Sequence, residues 1–328
     1  MSKRIVAIIL AAVIVMSGIV MSIVTTLASN FFNGGMTDFD QVPTTVVKNG
    51  SPSHQIAEVV VKGEITGNAS GGLLGGEGYN HTLILKQLDT IKNDDSIKGV
   101  LLTVNTPGGG TYESDELYQK LKEVKTKGKK IYVQMETIAA SGGYYISMPA
   151  DKIYAGPQTL TGSIGVISQS MDYSELLKNL GIKTNTIKSG SHKDIMSPQR
   201  EMTNEERDIL QSINKDSFDQ FVNVIKEGRH MSEDKVRKLA DGRIYSAQQA
   251  KAHHLIDEIG YKNEALKAMK KELKLKNPQI ITFDTSQQGL GSLFGIKTTF
   301  ESLQTNVKQI KNILNNQSDT RPMYLYEG

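Results

Sequence analysis

Between about residue 82 and residue 187 the chain alternates between two hydrophobic periods, and this alternation narrows the fold more than any other feature. Ile84, Leu88 and Ile91 recur at helical spacing and are followed by the unbroken run Val100-Leu101-Leu102 within Gly99–Val104. Leu117, Leu121 and Val124 mark a second helix near Glu113–Lys125, and a strand is expected at Lys130–Met135. Helical stripes interleaved with short strands predict βαβ units around a mostly parallel sheet, hence an α/β fold. The same reading gives a strand at Ile56–Val61, a helix opening near Ser141, and strands at Lys152–Tyr154 and Ile164–Ser168. A helix at Tyr173–Leu180 and a strand at Lys183–Ile187 follow. Glu205–Glu227 reads as a long amphipathic helix with Ile209, Ile213, Val222 and Ile225 on its buried side. Asn277-Pro278 begins a last strand.

The ends are organised differently. Ile5–Ala28 is uncharged and mostly apolar, and as a helix it spans about 36 Å, against about 30 Å for a hydrocarbon core. Lys3 and Arg4 precede it and Asp38 is the first charge after it, which places the N-terminus in the cytoplasm and the bulk of the chain outside. The run is longer than the apolar stretch of a cleaved signal peptide, although Leu27-Ala28-Ser29 is small enough to keep cleavage open. The expected organisation is a cytoplasmic end (1–4), an anchor (5–28), a polar stalk (29–55), a main domain (56–284) and a tail (285–328). Met323-Tyr324-Leu325-Tyr326 gives that tail an apolar end on a polar tether, suited either to occupy a peptide groove or to pack on a neighbouring subunit.

Composition removes several chemistries. The chain has no cysteine, which excludes thiolate catalysis, disulfides and cysteine zinc sites. A net charge of +3, with no basic run interleaved with aromatics, gives no footprint for nucleic acid. The six histidines show no metal-ligand spacing, so neither a metal nor a cofactor is expected. Gly67–Gly78 is glycine-rich and reads as a flexible loop or a lip beside a site.

Ser141, in Ala139-Ala140-Ser141-Gly142-Gly143-Tyr144-Tyr145, is surrounded by residues small enough for close approach by a substrate. At the start of a helix its developing negative charge is favoured, and Gly142 offers a backbone N–H as an oxyanion donor with no side chain in the way. Lys193, in Lys188-Ser189-Gly190-Ser191-His192-Lys193-Asp194, could act as base once neutral. Lysine ordinarily titrates near 10.4, so it works as a base only if desolvation disfavours the ammonium. Asp194 would oppose this unless its carboxylate points away. A serine–histidine–acid triad through His192 is the competitor, but adjacent side chains of an extended loop face opposite ways. Pro107-Gly108-Gly109 closes the Gly99–Val104 strand, and Gly108 carries its first free N–H.

Four segments in order, Val104-Asn105-Thr106-Pro107-Gly108-Gly109-Gly110, the Ser141 turn, Leu160-Thr161-Gly162-Ser163-Ile164-Gly165-Val166 and the Lys193 loop, resemble the signal peptide peptidase A (protease IV) family. The likeness is to its shorter bacterial form, with serine and lysine in one chain. It implies a Clp protease/crotonase-like fold of repeated ββα units, preceded by one transmembrane helix. It also implies a membrane-anchored endopeptidase acting on released signal peptides and other short apolar or unfolded peptides. In the resemblance Ser141 is nucleophile, Lys193 general base, Ser163 the residue that orients the lysine, and Gly108 with Gly142 the oxyanion donors. Members form homo-oligomeric rings or domes with inward sites. Two other classes stay open: a crotonase-type acyl-CoA enzyme, disfavoured by the outward orientation, and a non-catalytic membrane scaffold.

Overall fold

The structure is a computed structural model that describes residues 42–67, 78–283 and 322–326. The 5–28 anchor and the 68–77 part of the glycine-rich loop lie outside those residues, and no helix among the described residues is long and apolar enough to cross a membrane.

Strand β3 (Ile97–Thr106) is the middle of the sheet. It pairs in parallel with β2 (Ser51–Lys62) on one side and β5 (Lys130–Ala140) on the other, with Val100 opposite Ala57 and Ile131. Because side chains alternate along a strand, the continuous apolar run serves two cores at once. Val100, Leu102 and Val104 join the larger cluster, with Leu88 and Ile91 of α1 (His81–Asn93) and Leu117, Leu121 and Val124 of α2 (Thr111–Thr126). Leu101 faces the other way, into a smaller cluster with Tyr132, Ala265 and Met269.

Outward from β2 the sheet continues through β10 (Pro278–Phe283), parallel, to β1 (Thr44–Lys48), antiparallel. Outward from β5 it passes through β6 (Lys152–Ala155) to β9 (Glu258–Ile259), both parallel. The upper half of β5 changes partner: Ile138–Ala140 pair with β7 (Leu160–Gly162), which pairs antiparallel with β8 (Ile244–Ser246). This fork at the carboxyl end of β5 opens the sheet where Ser141 emerges. The remaining helices are α3 (Gly142–Tyr145), α4 (Ser174–Asn179), α5 (Asn204–Arg229), α6 (Glu233–Leu239), α7 (Ala247–Ala252) and α8 (Lys262–Glu272). The last carries Ala265 and Met269.

Several expectations change. Part of the segment expected as stalk belongs to the sheet: the β-branched run Thr44-Thr45-Val46-Val47 forms β1, and β2 starts at Ser51. The helix opening near Ser141 is a four-residue turn of helix. No strand forms at Lys183–Ile187, whose Ile187 is fully exposed, and the Ile164–Ser168 strand reduces to one bridge at Ile167. In α5 the buried apolar side chains, Phe221, Val222, Val224 and Ile225, all lie in the carboxyl-terminal half, while Ile213 is exposed.

Candidate active site

The residue that follows strand β5 has a backbone conformation that side chains rarely adopt. Ser141 has φ 53° and ψ −114°, outside the ordinary regions for a non-glycine residue. A serine held on such a sharp strand-to-helix turn is a recurring way to lift a nucleophile clear of a sheet. The turn is held from several sides. Ser141 N–H donates to Gly162 O on β7 (2.8 Å), and Tyr145 N–H donates to Ser141 O (2.9 Å). The Tyr144 hydroxyl donates to Leu255 O (2.8 Å), and Ser147 Oγ to Gly143 O (2.8 Å). The Ser141 hydroxyl itself is buried and forms no hydrogen bond among the described residues.

The second wall is β4 (Gly108–Gly110), which closes β3 after Pro107. Gly108 has φ 108°, and a Cβ there would overlap the carbonyl oxygen of Tyr324 and stand 2.7 Å from Gly142 N. Glycine is therefore required both by conformation and by the approach of two other backbones. Gly142 occupies the first position of α3, where a helix leaves its N–H groups without intrahelical partners. The Gly108 N–H, by contrast, donates to Thr106 Oγ1 (3.0 Å).

A strand of the chain's own tail lies along this wall. Strand β11 (Met323–Leu325) pairs antiparallel with β4, placing Tyr324 opposite Gly109 and Leu325 opposite Gly108. Tyr326 N–H donates to Pro107 O (2.9 Å). On its other edge Met323 exchanges two hydrogen bonds with Ile167, 3.0 and 3.1 Å. The Tyr324 ring is buried, stacked on Tyr145 (centroids 5.0 Å apart) and tilted against Phe221 (4.7 Å), and its hydroxyl donates to Ser217 O (2.7 Å). Burial pushes the Tyr324 phenol up, so it is neutral here. Burial does the same to the Tyr145 phenol, aided by its hydrogen bond to Asp115 (2.7 Å).

Ser163 is also brought to this region. It follows Gly162 directly, has φ 48°, is buried, and donates its N–H to Arg243 O (2.8 Å). Lys193 makes no hydrogen bond to the Ser141 hydroxyl. It is exposed on the loop between α4 and α5, and its amine forms no hydrogen bond or ion pair among the described residues. His192 turns toward the start of α5, with Nε2 3.6 Å from Glu205 and Nδ1 3.9 Å from Glu206.

The sequence reading did not find the Tyr145–Phe221–Ser217 pocket. Tyr145 stood within the quoted serine segment, but Phe221 is 76 positions away and only packing joins them.

An α/β sheet carrying a strained serine at a forked strand end, with a glycine edge that takes an extended peptide, defines the class as a serine peptidase. Comparison with known proteins specifies it further. Residues 123–276 match peptidase family S49. An Enterococcus faecium protein named as a signal peptide peptidase is 40% identical over 299 residues, covering 88% of this chain and 86% of the relative. A Methanocaldococcus jannaschii protein named as a protease is 43% identical over 209 residues, 64% of this chain and 66% of its own length. Protease 4 of Haemophilus influenzae is 28% identical over 287 residues, 79% of this chain but 46% of that longer protein. The chain belongs to the signal peptide peptidase A family of serine peptidases.

Proposed function

We propose that this peptidase is a membrane-anchored endopeptidase of Clp protease/crotonase-like fold that uses Ser141 as nucleophile and Lys193 as general base. Its substrates are short, extended, apolar peptides, signal peptide remnants among them. The observation that carries this reading is the tail itself: an extended segment bonded on both edges, with a tyrosine ring stacked on Tyr145, four residues after Ser141. Peptide capture by strand addition draws its affinity from main-chain bonds and its specificity from pockets for alternate side chains.

In the reaction Ser141 Oγ attacks the scissile carbonyl carbon while neutral Lys193 Nζ takes the hydroxyl proton. The developing oxyanion is met by Gly142 N–H, and by Gly108 N–H once it exchanges its bond to Thr106 Oγ1. The lysine then gives its proton to the leaving amine, and water attacks the acyl-serine by the reverse sequence. Ser163 steadies the lysine amine. Since Lys193 stands on an exposed loop, closing the dyad requires that loop to reach Ser141, within one chain or between chains of a ring or dome.

Ser141→Ala and Lys193→Ala are each expected to abolish hydrolysis of a fluorogenic apolar peptide while melting like the parent protein, because the two act as one unit. Mixing the two inactive proteins shows whether the base crosses between chains. Near-normal turnover by Lys193→Ala would sink the dyad.

A further inference from the structure

The loop that carries Lys193 is held by a web of charges. Arg200 Nε donates to Asp194 Oδ2 (2.9 Å) and Arg200 Nη2 to Asp194 Oδ1 (2.7 Å), a bidentate fork on the residue next to the lysine. Arg200 Nη2 also reaches the Asp194 carbonyl oxygen (3.2 Å). Lys188 Nζ donates to Asp194 Oδ1 (2.6 Å). Arg200 Nη1 donates to Glu206 Oε2 (2.8 Å), and Nη2 to Glu206 Oε1. Glu206 is almost wholly buried and completes the capping box of α5, accepting from Thr203 N–H (3.0 Å) while its own N–H donates to Thr203 Oγ1 (3.2 Å). One guanidinium thus fixes the lysine loop to the start of a long helix and takes both oxygens of the carboxylate nearest the lysine in sequence.

We infer that Arg200 is a positioning residue for the base: by engaging Asp194 it keeps that carboxylate from holding a proton on Lys193. This rests on Lys193 being the base. A free carboxylate a few ångströms from an amine favours the ammonium, which cannot accept the serine proton. Besides Lys193, the loop carries Lys183, Lys188, His192, Asp194, Arg200 and Glu201, and its ion pairs join Lys188, His192, Asp194 and Arg200 to one another and to Glu205 and Glu206 of α5. Within those ion pairs the carboxylates of Asp194, Glu205 and Glu206 face the Lys188 and Arg200 cations, so loss of Arg200 leaves Lys188 as their lysine or arginine partner. The same contacts lower both carboxyl groups. Arg200, then Lys188, holds Asp194 far below the usual carboxylate range, and Arg200 with the Thr203 N–H brings Glu206 down to about 2.

The test is the pH dependence of kcat/KM on a fluorogenic apolar peptide, whose acidic limb reports the base in the free enzyme. Arg200→Met is expected to move that limb to higher pH by about half a unit to one unit, the effect of one partly screened charge. Activity at neutral pH then falls roughly threefold to tenfold. Asp194→Asn/Arg200→Met is expected to return the limb to its parental position, a rescue that a merely structural clamp does not give. An unshifted limb in Arg200→Met, or a shift that Asp194→Asn does not reverse, overturns the inference. Should Arg200→Met fail to fold, Asp194→Asn alone is expected to move the limb to lower pH, and no movement or an upward one overturns the inference equally. Lys193→Ala measured alongside separates the two levels. If that variant is inactive and the limb is unshifted, the role of Arg200 fails by itself. If it is fully active, the dyad fails and this inference with it.

Discussion

Tyr324→Ala should turn this peptidase into a faster one on added peptide. The tail strand lies where a peptide substrate is proposed to lie, so a substrate must displace it first. Burying a side chain of this size contributes about 1.5–3 kcal/mol. The ring contacts with Tyr145 and Phe221 add about 0.5–1.5 kcal/mol, and the phenol bond to Ser217 O about 1 kcal/mol. Removing the ring therefore weakens the seated tail by about 3 kcal/mol or more, which is over about 100-fold in its closing equilibrium. Initial rates on a fluorogenic peptide well below KM provide the assay. The expected order is parent slowest, then Tyr324→Phe, which loses only the phenol bond, then Tyr324→Ala, with a chain ending before residue 322 fastest. At saturating peptide the four should converge, since the tail competes with substrate rather than altering chemistry. Equal rates for parent, Tyr324→Ala and the truncated chain would refute the reasoning, as would Tyr324→Phe outpacing Tyr324→Ala.

Two further outcomes follow from the site and its clamp. Gly108→Ala places a Cβ against the tail carbonyl and 2.7 Å from Gly142 N at φ 108°, so peptidase activity should fall by at least about 100-fold. The variant should also melt lower, by the amount of roughly 1–3 kcal/mol of backbone strain, as scanning calorimetry can read. Glu206 titrates at about 2 in the folded chain against an ordinary 4.5, so its contribution to stability is complete above about pH 4.5 and is lost as pH falls toward 2. Glu206→Gln should melt lower at neutral pH and lose less stability than the parent between those two pH values. Equal acid sensitivity of the two proteins would count against the clamp.

The sheet was readable because its signal is local and strong. Val100-Leu101-Leu102 is apolar on both faces, and only a strand buried on both sides uses such a run. The serine turn was readable for a similar reason: Ala139-Ala140 and Gly142-Gly143 leave room for close packing, and a Cβ at Gly143 would meet Thr106 Cγ2 at 2.7 Å. What could not be read depends on partners distant in sequence. Ile164–Ser168 has the composition of a strand, yet its one bridge is to Met323, more than 150 residues later. Lys183–Ile187 has strand composition too but meets no sheet edge among the described residues. Ile213 follows the helical stripe of α5, but the half of the helix that holds Phe221 is the one that meets Tyr145 and Tyr324, and Ile213 stays exposed. Periodicity states which side chains seek burial; it does not state whether a surface is there to receive them.

The seat of the tail is a slot one strand wide. Glycines 108 to 110 close one edge and Ile167 the other, and both edges are joined to the same short segment by main-chain bonds. A guest taking that path must arrive as a single extended thread, because a hairpin brings a second strand for which there is no lane and a helix keeps its amides bonded within itself. It must also offer an N–H where Met323 does, which bars proline from that position. If substrates follow the tail's path, as proposed, folded proteins are refused by the width of the track itself.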